Sequence, residues 1–122
     1  MRKALGWTGD SAVRGESKPN RDIQFSLVYA EGKSWPGKEI VIRTLPNTLN
    51  SSRFGFVVSR RVGNAVVRNH IKRLLRGIVR QIPVKPGWDI VIIARVPAAA
   101  ANFENLGKSV KGLLGRAGLS GG

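Results

Sequence analysis

Residues 53–82 read RFGFVVSRRVGNAVVRNHIKRLLRGIVRQI, and this stretch decides the fold. The apolar run from Phe54 to Val58 predicts a β-strand, and Gly63-Asn64 predicts the turn that follows it. From Ala65 to Ile82 the apolar residues recur with a helical period, which predicts a long amphipathic α-helix. Its apolar arc consists of Val67, Ile71, Leu74, Leu75, Ile78 and Ile82.

The opposite side of this predicted helix is cationic. Residues 53–82 include eight Arg and Lys residues and no Asp or Glu. Solvated helix faces usually mix Glu with Lys at spacings of three or four residues, so a face of one sign indicates a polyanionic partner. The polar arc consists of Arg68, Asn69, Lys72, Arg73, Arg76 and Arg80. Nucleic acid is therefore favoured over a merely solvated face.

The composition supports the same partner. The chain has 122 residues, enough for one domain with one core, and a formal net charge of +14. Nucleic acid is the leading polyanion and an anionic membrane surface the second, but no stretch is long and apolar enough to span a membrane. The absence of cysteine excludes disulfides, thiolate catalysis and cysteine-ligated zinc, and a cytoplasmic protein is the simplest interpretation.

The chain divides into three predicted segments. Gly, Ser and Pro interrupt any period over residues 1–20, which predicts an irregular basic arm. Residues 21–116 form the single α/β domain, and residues 117–122 are expected to fray.

The elements predicted within the domain define an α+β fold with the order α-β-β-β-α-β-α, in which helices pack on one sheet. Strands 39–45 and 53–59 are expected to pair antiparallel through a hairpin-like loop. Gly55 is costly in a strand unless another group approaches closely there. The full set is a helix over 21–31 capped by Asn20, an edge strand within 33–37, strands 39–45 and 53–59, a helix over 65–82, a strand over 89–95 and a helix over 103–114 capped by Asn102.

No group of residues in the sequence predicts an active site. Asp89 and Glu104 lie on different elements, and Ser59 has no candidate base except His70. A single histidine excludes a multi-histidine metal site. The turn at Gly63 lacks the Lys of a phosphate-binding loop, so we expect no nucleoside triphosphate site there. We also expect no small-molecule substrate.

The motif RRVGNAVVRNHIKRLLR, residues 60–76, resembles the signature of the protein subunit of bacterial ribonuclease P. The resemblance extends to RFGFVVSRR before it, to DIVIIAR after it, and to the first predicted helix, and covers about residues 21–116. Three features depart from the family: His70 replaces a usual Arg, Arg43 stands where an aromatic residue is frequent, and the first 17 residues match poorly.

The resemblance implies a two-layer α/β sandwich similar to the second domain of ribosomal protein S5, with a left-handed βαβ crossover between Ser59 and Asp89. It also implies a protein that binds a large catalytic RNA and helps it remove the 5′ leader of precursor tRNA. Metal-bound water is the nucleophile in this family. The resemblance further implies that the RNA subunit holds the Mg²⁺ and that the protein alone binds no cofactor.

Two sets of residues follow from the resemblance. The set expected to bind the catalytic RNA is Arg60, Arg61, Arg68, Asn69, His70, Lys72, Arg73 and Arg76. The set expected to line a cleft for the single-stranded leader is Phe25, Tyr29, Ile40, Ile42 and Arg43.

Two other classes of function remain open from the residues alone. The first is a structural, ribosomal-type RNA-binding protein without a processing role. A DNA-binding module is disfavoured, because no second helix with helix-turn-helix spacing precedes Gly63.

Overall fold

The computed structural model describes residues 23–120 and confirms the α+β class. The predicted arm over residues 1–20, including the Asn20 cap, lies outside the described residues. A short 3-10 helix, Val96–Ala100, joins the last strand to the last helix. The elements are α1 Phe25–Glu31, β1 Lys33–Pro36, β2 Ile40–Pro46, β3 Arg53–Val58, α2 Ala65–Val79, β4 Trp88–Ala94 and α3 Phe103–Arg116.

The sheet has the strand order β1-β2-β4-β3, so the predicted pairing of β2 with β3 is wrong. β4 lies between them, antiparallel to β2 and parallel to β3. Its side chains from Asp89 to Val91 are buried on both faces of the sheet. A strand that is covered on both faces typically lies inside the sheet, with a neighbouring strand paired along each edge. The connection β3-α2-β4 is the predicted βαβ crossover, and its left-handed sense stays an expectation from the resemblance.

Two apolar cores lie on opposite faces of the sheet. The larger core packs α2 and α3 against the side chains of Ile42, Phe56 and Ile92, among others. The smaller core packs α1 against Val57 and Val91 on the other face. This follows from strand geometry, because successive side chains point to alternate faces. The two faces are therefore free to carry different functions.

The start of α2 is fixed by a cap that was not predicted from the sequence. The Asn64 side-chain oxygen accepts a hydrogen bond from the backbone N–H of Val67 at 3.0 Å, as an N-cap asparagine does. α2 ends at Val79 rather than at Ile82, because the residue before Pro83 is disfavoured in helical conformation. Asn102 caps α3 as predicted, accepting from the N–H of Asn105 at 2.8 Å.

The ends of the domain differ from the prediction. α1 begins at Phe25 rather than at residue 21, because Gln24 before it has an extended backbone. Ile23 is fully buried in the smaller core. The tail predicted to fray from residue 117 is anchored as far as Ser120. Leu119 is buried, its carbonyl accepts from the N–H of Lys85 at 2.8 Å, and Ser120 forms a β-bridge with Val84.

A buried polar network joins the loop after β2 to the ends of β3 and β4. The Arg53 guanidinium donates two hydrogen bonds of 2.8 Å to the Asp89 carboxylate. The Asn47 amide donates a third bond to the same carboxylate, also at 2.8 Å. Asp89, one of the few carboxylates considered for catalysis, therefore has a structural role.

Candidate nucleic-acid interface

The exposed side of α2 and the turn before it form a continuous basic surface, which we call the cationic face. Within residues 23–120, no ion pair with a carboxylate is found for Arg60, Arg61, Arg73 or Arg80. Arg68 and Arg76 lie half-buried at the border of this face. The exposed members of the cationic face are Arg60, Arg61, Asn69, His70, Arg73 and Arg80.

Lys72 does not belong to the accessible part of this face, which corrects the sequence prediction. Only 6% of its surface is exposed. Val79 lies seven residues further along α2 and hence on the same side of the helix, and it is fully buried. The helical wheel thus extended the polar arc over a side of α2 that is covered in the fold.

A side-chain hydrogen bond holds the N-terminal end of α2 beside the cationic face. The Arg68 Nε donates to the carbonyl of Gly63 at 3.1 Å, so part of this guanidinium is engaged in closing the turn. No acidic residue occurs in the first turn of α2. The positive end of the helix dipole therefore adds to the charge of Arg60 and Arg61.

A depression of about 330 Å³ lies where the carboxyl ends of β3 and β4 meet the turn before α2. Arg61 and Arg95 both line it, together with Ser59. Arg95 is not among the site residues predicted from the sequence, although its place directly after a buried strand could have indicated it. Its Nη1 donates to the Gly37 carbonyl at 2.8 Å, which holds the guanidinium against the loop between β1 and β2.

The predicted leader cleft requires two corrections. Ile40 and Ile42 are fully buried on the sheet face that packs against α2 and α3, so they cannot line a cleft beside α1. The apolar side chains of β2 alternate too weakly in the sequence to indicate which face of the sheet each one takes. Phe25 is on the predicted side but is 2% exposed, because its ring packs over Gly55. The Phe25 ring is thus the closely approaching group that Gly55 predicted for this strand.

The sheet face beside α1 nevertheless keeps accessible surface, which we call the α1 cleft. Tyr29 and Arg43 occupy it as predicted, and the Arg43 guanidinium carbon lies 5.8 Å from the centre of the Tyr29 ring. Burial raises the pKa of the Tyr29 phenol above its ordinary value of 10.0, while the Arg43 charge lowers it in part. The half-buried residues of the α1 cleft are Tyr29, Val41, Arg43, Leu45 and Ile93.

The helices of residues 23–120 include none long and apolar enough to cross a membrane. What the structure displays is a small α+β domain with a helix face of one charge sign and, across the sheet, a half-open aromatic and apolar surface. These features define a basic protein of the nucleic-acid-binding class.

Comparison with known proteins gives the family. The model of the family described as Ribonuclease P matches residues 18–118. The ribonuclease P protein component of Dehalococcoides mccartyi is 47% identical over 94 residues, which cover 77% of this chain and 78% of the relative. This chain therefore belongs to the ribonuclease P protein family.

Solved structures agree with this assignment. The ribonuclease P protein of Staphylococcus aureus is 34% identical, with a TM-score of 0.71 and coverage of 83% of this chain and 93% of that one. The ribonuclease P protein of Thermotoga maritima is 33% identical, with a TM-score of 0.72 and coverage of 78% and 92%. The fold described above is thus that of the family.

Proposed function

We propose that this chain is the protein component of ribonuclease P, which binds the catalytic RNA and the 5′ leader of precursor tRNA and assists endonucleolytic removal of the leader. The observation that carries the proposal is the cationic face: exposed arginines on one rigid helix, with no carboxylate between Glu39 and Asp89 to neutralise them. The relatives of this chain carry the name ribonuclease P protein component, which supports the proposal.

The cationic face is suited to phosphate groups rather than to base edges. Asn69 and Arg73 are one helical turn apart, and Arg80 lies two turns beyond Arg73 on the same side. Guanidinium groups bind phosphate oxygens in pairs, and each phosphate neutralised releases counterions. We therefore expect RNA affinity to fall steeply with salt and to depend little on RNA sequence.

The α1 cleft is suited to single-stranded RNA. It offers the ring of Tyr29 and the apolar side chains of Val41 and Ile93, with the guanidinium of Arg43 packed over the ring. An aromatic ring stacks on any base, so a leader bound here need not have a fixed sequence. Because the cleft and the cationic face lie on different sides of the sheet, one molecule can hold both RNAs at once.

The chemistry of leader removal belongs to the RNA in this proposal. The cationic face provides guanidinium, imidazole and amide groups, whereas Mg²⁺ prefers carboxylate and phosphate oxygens. These residues do not fit a magnesium site, so we assign the Mg²⁺ of the complex to the RNA. The protein binds and positions RNA and lowers its electrostatic repulsion.

Reconstitution tests this function directly. The protein is mixed with a bacterial ribonuclease P RNA and precursor tRNA at a Mg²⁺ concentration too low for the RNA alone. We expect release of the 5′ leader only when protein is present. Binding of both RNAs without leader release would contradict the proposal and favour a structural RNA-binding protein.

A further inference from the structure

The C-terminal end of α1 is stabilised by a side chain from the sheet. α1 has seven residues, no side-chain hydrogen bond at its N-cap and no basic residue in its last turn. A helix this short is unstable by itself and leaves its final carbonyl groups without partners inside the helix. Its position over the sheet therefore depends on contacts made from outside.

Arg43 of β2 makes these contacts. Its Nη2 donates to the carbonyl of Tyr29 at 2.6 Å and to that of Gly32 at 3.2 Å. Its Nε approaches the carbonyl of Val28 at 3.4 Å. The guanidinium thus acts as a C-cap delivered from another element, and its charge faces the negative end of the helix dipole.

The same guanidinium also lies over the ring of Tyr29, 5.8 Å from its centre. One planar group therefore contacts both the main chain and the side chain of Tyr29, which restricts the orientation of the ring in the α1 cleft. Glycine at position 32 permits this arrangement, because a Cβ there would lie 2.5 Å from the carbonyl oxygen of Val28. The chain can then pass closely from α1 onto the sheet.

We infer that Arg43 is a positioning residue of the α1 cleft, holding the end of α1 and the Tyr29 ring in the orientation that receives the leader. The inference rests on the function proposed above, because it concerns the cleft assigned to the leader. Two of the three guanidinium nitrogens are engaged by backbone carbonyls. The side chain therefore holds the α1 cleft in place, although its positive charge alone would suggest a direct contact with phosphate.

A positioning role and a direct phosphate contact predict different behaviour for Arg43→Lys. Lysine keeps the charge but cannot span three carbonyls with one ammonium group, since only arginine has a planar fork of donors. A positioning role predicts that Arg43→Lys loses leader affinity as strongly as Arg43→Gln does. A direct phosphate contact predicts that lysine retains most of the leader affinity and that glutamine lowers the salt dependence by one contact.

The test combines amide hydrogen exchange of the free protein with RNA binding by the reconstituted complex. We expect α1 amides to exchange about tenfold faster in both Arg43→Lys and Arg43→Gln, as the loss of charge-assisted hydrogen bonds predicts. The preference for precursor over mature tRNA should fall about as strongly in both variants. Its salt dependence should not change.

Lys33→Gln is the matched control, because it removes one exposed positive charge next to Gly32 without touching the α1 carbonyls. It should leave α1 exchange and the precursor preference unchanged. Unchanged exchange in the Arg43 variants, or retained precursor preference in Arg43→Lys, would overturn the inference. If the unmodified protein itself shows no precursor preference, the leader-binding function fails, and with it the role of Arg43 in leader binding, whatever the exchange shows.

Discussion

Replacing Arg61 and Arg73 together by glutamine should weaken binding to the catalytic RNA on the order of tenfold or more at moderate salt. Both side chains are exposed on the cationic face, one before α2 and one in its middle. The slope of log affinity against log salt should become shallower by about 1.5, which corresponds to two lost phosphate contacts. Filter binding over a salt series measures both quantities, and cleavage should then require more Mg²⁺.

The double variant should keep its fold, because substitutions at exposed positions usually change stability by less than about 0.5 kcal/mol. Arg68 is less suitable for this test, since its Nε also closes the turn at Gly63. Lys108→Gln with Lys111→Gln removes the same charge from the exposed side of α3. If this control lowered affinity and salt dependence as much as the Arg61 and Arg73 variant, net charge rather than the cationic face would determine binding.

Gly55→Ala should displace α1 and lower the stability of the domain by about 1–3 kcal/mol, as overpacking of a core does. A Cβ at this position would lie 2.7 Å from the Cζ and 2.9 Å from the Cε1 of the Phe25 ring. The ring is almost fully buried, so it cannot swing into solvent without moving the helix. Urea unfolding measures the loss of stability.

The same variant separates the two RNA-binding surfaces. Because α1 is the wall of the α1 cleft, the preference for precursor over mature tRNA should fall in Gly55→Ala while affinity for the catalytic RNA remains. Gly112→Ala, at an exposed position of α3 with open space around it, should instead be stabilising by about 0.5–1 kcal/mol. A Gly55→Ala protein with unchanged stability and precursor preference would show that α1 is not seated by this contact.

Local and periodic features of the fold could be predicted from the sequence. The start of α2, the Asn102 cap and the α+β order all depend on short-range patterns, and the structure confirms them. The neighbour of β2 could not be predicted in this way. The prediction assumed that strands consecutive in the chain pair as a hairpin. In the structure β4 is inserted between β2 and β3 and pairs with both of them.

The candidate sites show the same division. The cationic face follows from helical spacing, but the burial of Lys72 depends on tertiary packing against one side of α2. In β2, the face on which Ile40 and Ile42 lie depends on the strand register, because a shift of one residue moves every side chain to the other face of the sheet. The weak alternation of apolar residues in β2 does not fix that register. The capping role of Arg43 depends on how α1 lies across the sheet, which no local pattern contains.

The central claim is that RNA covers the cationic face, and tethered cleavage of the RNA tests it most directly. The chain has no cysteine, so a cysteine introduced at one position can carry an iron chelate that cuts nearby RNA. Val66 is 77% exposed on the side of α2 that carries Asn69 and Arg73, and Gly112 is an exposed neutral position on α3. Chelate at Val66→Cys should cut the catalytic RNA at a few discrete sites, whereas chelate at Gly112→Cys should cut it weakly. Strong discrete cuts from Gly112→Cys and none from Val66→Cys would contradict the account.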